Sequence, residues 1–262
     1  MGFISAIITH IAPIFIVSSP ITSYADQIYS IHSSRSSAGF SLDIPLIMLA
    51  ASILKVFYWL GARYDTSLFL QALLMIVMQT VLLHVALTHR PGLSSAHLTP
   101  FASSDPTSAH HAPYPRPFKF WQWRQHQPYW TFLGGLFVTL LFLQLLLGPT
   151  YLYESYYNLL GTVALTIEAT LPLPQILANQ RRKSCKGFRF SVLINWLIGD
   201  AFKLVFFFLK GEDSVPWAFK LCGLFQATCD AYLGIQYAMW GNGPAEANGI
   251  LTPGREVEME LR

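Results

Sequence analysis

Long apolar runs recur along the chain, broken by short polar stretches. Seven of them predict membrane-crossing helices, roughly 4–27, 43–61, 67–88, 130–148, 157–178, 190–209 and 216–240. Each is near the ~20 residues a helix needs to cross a hydrocarbon core. The first is the most interrupted, by Pro13, Pro20 and Asp26. The pattern predicts an all-α membrane protein with seven transmembrane helices. A few ionisable side chains sit deep inside these runs: Lys55, Glu168, Asp200, Lys203 and Asp230. On insertion scales such groups cost roughly 2.5–3.5 kcal/mol each at mid-span, so packing does not account for them. Pro172 and Pro174 follow Glu168 and free backbone carbonyls in mid-span, which is tolerated where backbone lines a cavity. The stretch Glu168–Lys203 therefore reads as one wall of a polar path through the membrane.

Composition agrees with the pattern. The chain is 53% apolar and 12% charged, against about 25% charged in soluble domains. The net charge of +3 says little, but its distribution sets orientation. Arg35, then Arg90, Arg116, Lys119 and Arg124, then Arg181, Arg182, Lys183 and Lys186 all fall in loops on one side. The positive-inside rule makes that side cytosolic, with the N-terminus lumenal and the C-terminus cytosolic. The first run lacks a basic n-region and a cleavage site, and is expected to be a retained span rather than a signal peptide. Residues 89–129, rich in Pro, Ser, His and Ala, are expected to form a flexible cytosolic linker. Residues 241–262 are expected to form a disordered cytosolic tail. The basic residues flank spans rather than building a soluble basic domain, so nucleic acid is not an expected partner. Cys222 and Cys229 lie seven apart on one predicted helix, too far along its axis to bridge. Neither the cysteines nor His110-His111 show metal-ligand spacing, and no phosphate loop, nucleophile elbow or HExxH occurs. No metal, cofactor or enzyme activity is expected.

A shift of 148 residues superposes two parts of the chain without a gap. Gln27 falls on Gln175, Gly39-Phe40 on Gly187-Phe188, Lys55 on Lys203 and Asp65 on Asp213. The repeat unit is three spans, residues 4–88 and 157–240, with 130–148 as a connector. An odd unit plus a connecting span gives parallel repeats related by an axis along the membrane normal. A site is expected at their interface, near mid-membrane.

These residues resemble the PQ-loop family, the cystinosin-like superfamily. Its repeat carries Pro-Gln near the end of the first helix, then a short basic loop and Gly-Phe. Here the second copy has Pro174-Gln175 and Lys186-Gly187-Phe188; the first has Asp26-Gln27 and Gly39-Phe40-Ser41, with no proline directly before Gln27. Glu168-Ala169, Gly199-Asp200-Ala201-Phe202-Lys203 and Cys222-Gly223-Leu224-Phe225-Gln226 look like the Golgi and endosomal members linked to phospholipid scrambling and flippase antagonism. The resemblance implies movement of phospholipid between leaflets. The wider family implies proton-coupled export of amino acids or another small solute from an acidic organelle. Some relatives imply a trafficking receptor or scaffold.

Within that frame the candidate substrate path is Gln27, Lys55, Gln175, Asn195, Asp200 and Lys203, continued by Gln226 and Asp230. Asp200 and Lys203 are three apart and share a helix face, where they either pair with each other or open to a substrate. Lys55 has Ser52 where Asp200 would be, so its counter-ion must come from another span or from substrate. Pro20, Pro172 and Pro174 are candidate hinges. Glu168 and Asp230 are candidate proton-coupling groups, since desolvation favours the neutral carboxyl. The resemblance favours Asp230, where exporters of the family also carry an acid. Expected partners are membrane lipids, with protons and a small solute in the carrier reading. Oligomeric state is not legible.

Overall fold

The computed structural model describes residues 11–37, 42–90, 120–121, 123, 125–185, 190–210 and 214–241. Among them the chain is helical: α1 Ala12–Ser34, α2 Asp43–Ala62, α3 Thr66–Thr88, α4 Gln127–Leu147, α5 Tyr153–Ala169, α6 Leu173–Arg182, α7 Phe190–Leu209 and α8 Trp217–Trp240. The paired Gly-Phe motifs, most of the expected linker and the tail beyond residue 241 lie outside the described residues. α2, α3, α4 and the α5–α6 stretch are long and apolar enough to cross a membrane. α1, α7 and α8 have span length, at 23, 20 and 24 residues. The protein is a multi-pass membrane protein of seven spans.

Local chemistry sets the helix ends. Asp65 caps α3 by accepting from the Ser67 backbone N–H at 2.9 Å, satisfying one of the donors a helix start leaves open. The run expected as one span over 157–178 is two helices, α5 and α6. Pro172 has no N–H to give the Glu168 carbonyl four residues back. That carbonyl instead accepts from Leu171 in a tighter turn, at 3.1 Å, and α6 restarts with Pro174 in its first turn. α1 stays continuous with Pro20 inside it. The end of the expected linker is packed: Trp121 is buried, and its indole N–H donates to the Leu42 carbonyl at 2.7 Å. Arg90 and Tyr129 both donate to the Trp123 carbonyl, at 2.6 and 3.0 Å. These contacts tie the start of α4 to the first repeat.

The two repeats share one helix order. α3 stands between α1 and α2, and α8 stands between α5–α6 and α7. They meet reciprocally, as a two-fold axis along the membrane normal requires. The second helix of the first repeat, α2, packs broadly on α5; the first helix, α1, touches α7 only sparsely. α4 flanks the α2–α5 seam and leaves a wide apolar face exposed, including Val138, Phe142 and Leu145.

Candidate functional site

The ionisable residues gather where the repeats meet. Lys55, in α2 and 4% exposed, donates to Glu168 Oε2 of α5 at 2.6 Å. The missing local counter-ion thus comes from the other repeat. Around this pair is a cavity of about 30 Å³ lined by Lys55, Gln71, Glu168, Lys203, Cys222 and Gln226, among others. That is room for a water or two, not for a headgroup or an amino acid.

Lys203 is half-buried on α7 and lines the same cavity. Among the described residues it has no carboxylate within ion-pair distance, although Glu168 and Asp200 are close enough to act on it electrostatically. Asp200 lies close to Asp230 of α8, near enough for the two carboxyls to act on each other electrostatically. Both are buried, and both oxygens of Asp230 and Oδ2 of Asp200 lack a hydrogen-bond donor. Lys55, Glu168, Lys203, Asp200 and Asp230 therefore form one string across the seam, with three carboxyls against two ammoniums.

The α2–α5 seam is close-packed as well as ion-paired. A Cβ on Gly161 would lie 2.6 Å from the Tyr58 ring, and one on Gly61 would collide with Tyr157. Only glycine allows helices to approach this closely. At the far end, away from the basic loops, Asp65 binds Lys210 at 3.0 Å and its backbone N–H donates to Ser214 at 2.8 Å. Tyr64 is buried against Phe219 there, with ring centroids 4.8 Å apart.

The α1–α7 seam differs. Among the described residues its ring contact is Phe15 on Phe202, with centroids 4.6 Å apart. Towards the basic end the same face of α1, at i+3 and i+4 spacing, carries Ser19, Thr22, Asp26, Ser30 and Ser33. All but the half-buried Ser19 are exposed, and Gln27 is exposed on the flank. The facing positions of α7 are Gly199, where a Cβ would meet nothing within 4 Å, and exposed Asn195. Among the described residues the result is a polar groove along this face of α1. Its inner end reaches the cavity, because Gln71, a cavity residue, donates to Ser19 Oγ at 3.1 Å.

The PQ-loop repeat model matches residues 2–68 and 156–215, one match over each half. Each half of the chain thus resembles a PQ-loop repeat. Scramblase ANY1 of Saccharomyces cerevisiae is similar to it, 29% identical over an alignment of 280 positions that covers 83% of this chain and 67% of that protein.

The Pro174-Gln175 pair lies off the central cavity. Gln175 donates to Asn179 Oδ1 at 2.7 Å within α6. The amide that holds a backbone carbonyl of α6 is Gln236, which donates to Ile176 at 3.1 Å. Pro20 and Pro172 are buried and Pro174 is half-buried. Gln71, Asn179 and Gln236 were not among the residues singled out from sequence, nor was Tyr64, whose hydroxyl donates to the Lys55 carbonyl at 2.9 Å. The available signal was an uncharged amide inside an apolar run, weaker than a charge because its insertion cost is smaller.

Proposed function

We propose that the protein is a member of the PQ-loop family and moves phospholipid between the leaflets of a Golgi or endosomal membrane, with its basic end in the cytosol. The observation that carries the reading is the exposed polar stripe of α1, which would face lipid in a membrane. A headgroup can exchange water for hydroxyls and amides there while its acyl chains stay in the bilayer. Each hydrogen bond is worth only about 0.5–1.5 kcal/mol net, which suits transit better than tight binding. The likeness to a protein named a scramblase supports the same reading. Gln27 and Asn195 belong to the groove, Lys203 and Gln226 to its inner end, and Asp200 and Asp230 to the string beyond. Pro20, Pro172 and Pro174 are the hinges about which the first helix of each repeat moves.

A proton-coupled carrier is the second reading. The Asp200–Asp230 contact favours it, since the string accepts one more positive charge and a proton would supply it. A cavity of about 30 Å³ favours it less, because a solute would need a larger enclosed site. The deciding experiment uses purified protein in liposomes. Flip of tail-labelled phosphatidylcholine is followed by dithionite quenching, beside uptake of radiolabelled amino acids across a pH gradient. Lipid flip without uptake is expected; uptake without flip would reverse the order of the two readings.

A further inference from the structure

We infer that Lys203 is the anchor for the phosphodiester of a lipid headgroup entering by the α1–α7 seam, and that its repeat mate Lys55 is not. The inference rests on the scrambling reading and assigns the chemistry within it.

Symmetry frames the argument. Lys55 crosses its seam to Glu168. The equivalent partner of Lys203 would sit on α1, 148 positions before Glu168, and that residue is Pro20. α1 therefore offers Lys203 no acid at that position. Glu168 is committed to Lys55 at 2.6 Å, and Asp200, with no salt bridge to Lys203 among the described residues, also feels Asp230. Among the described residues Lys203 is left with electrostatic neighbours but no carboxylate at ion-pair distance. It is half-buried, whereas Lys55 is buried. It also lies on the cavity that Gln71 links to the groove through Ser19.

The ligand class follows from the donors. An ammonium beside the amides of Gln71 and Gln226 suits an anion with several acceptor oxygens. A phosphodiester brings two non-bridging oxygens and a single negative charge. The cavity must widen to admit it. The sparsely packed α1–α7 seam can part, whereas the α2–α5 seam is held by an ion pair and by glycine contacts. A free amino acid carries the same kind of anion in its carboxylate, so the test separates the two sources.

Full-length wild-type, Lys203→Gln and Lys203→Arg proteins are reconstituted in liposomes holding tail-labelled phosphatidylcholine or tail-labelled glucosylceramide, which has no phosphate. Lys203→Gln is expected to slow the phospholipid about tenfold more than the glycolipid, the scale of one lost charge-assisted hydrogen bond. Lys203→Arg is expected to restore most of the difference. Gel filtration and thermal melting establish that each variant is folded. Equal slowing of both lipids, or no slowing, overturns the anchor alone. Wild-type protein that takes up radiolabelled amino acid and moves neither lipid overturns the scrambling reading, and the anchor with it.

Discussion

The two seams between the repeats descend from one sequence pattern and have become opposites. At α2–α5, Lys55 meets Glu168, and Gly61 and Gly161 let tyrosines pack against bare backbone. At α1–α7 the equivalent positions are Lys203 and Pro20, with Leu209 and Pro13 where the glycines would be. Those side chains stand where the other seam has bare backbone, and among the described residues the helices touch through Phe15 and Phe202 beside a polar stripe. The difference teaches that a pseudo-symmetric membrane protein can assign one interface to cohesion and its mate to passage. It does so with a few substitutions at paired positions, without changing the order of helices.

The largest expected effect comes from joining the open seam. In a background with Cys185, Cys222 and Cys229 changed to alanine, Phe15→Cys with Phe202→Cys is cross-linked by a short thiol reagent. Lipid flip in liposomes should fall to the protein-free rate. The same reagent across Gly61→Cys and Tyr157→Cys should leave flip near that of the uncross-linked protein. If both cross-links stop flip alike, the two seams are not functionally distinct.

Next comes stability. Lys55→Met leaves Glu168 buried without its ion-pair partner and should cost about 3–5 kcal/mol. Lys55→Met with Glu168→Met should recover much of that. Lys203→Met, which breaks no ion pair among the described residues, should cost less than Lys55→Met. Thermal melting in detergent ranks the three, and a Lys203 cost equal to that of Lys55 contradicts the asymmetry.

Leucine in place of glycine sharpens the contrast further. Gly161→Leu forces a side chain into the Tyr58 ring and should destabilise by about 1–3 kcal/mol or more. Gly199→Leu enters open space, so melting should barely shift while lipid flip slows as the groove fills. A Gly199 variant with normal flip would show that lipid does not pass along this face of α7.

The smallest effect is at the far end. Asp65→Asn keeps a capping side chain for α3 but removes the charge paired with Lys210, itself about a third exposed. A partly exposed pair of this kind contributes about 0–1 kcal/mol. A melting change well above that range would mean that the far-end tie, rather than the α2–α5 seam, holds the repeats together.

Much of this was legible from residue patterns. The runs located the spans, and Pro172 with Pro174 marked where the fifth one breaks. The buried charges marked the seam, because charge inside lipid is expensive wherever it falls. Less legible was which charge meets which. Spacing along α7 suggested Asp200 with Lys203, yet the ion pair forms between Lys55 and Glu168, on different repeats. Gln236, rather than Gln175, holds an α6 carbonyl, because α8 brings it alongside from far away in sequence. The stripe on α1 was readable only as interruptions of an apolar run. Its meaning depends on which neighbour covers that face.

By itself, the sequence determined the class of protein, the number of spans, the three-helix repeat and the presence of charges that need a reason. These follow from local chemistry: hydropathy sums along the chain, proline lacks a donor, and the repeat is a matter of register. Only the tertiary structure decided that Glu168 serves Lys55 rather than Lys203, and that among the described residues one seam packs more closely than its mate. Those outcomes depend on distances between residues more than a hundred positions apart, set by how closely whole helices can approach. A glycine facing a tyrosine, or a proline where an acid would be, has its effect only once both helices stand side by side.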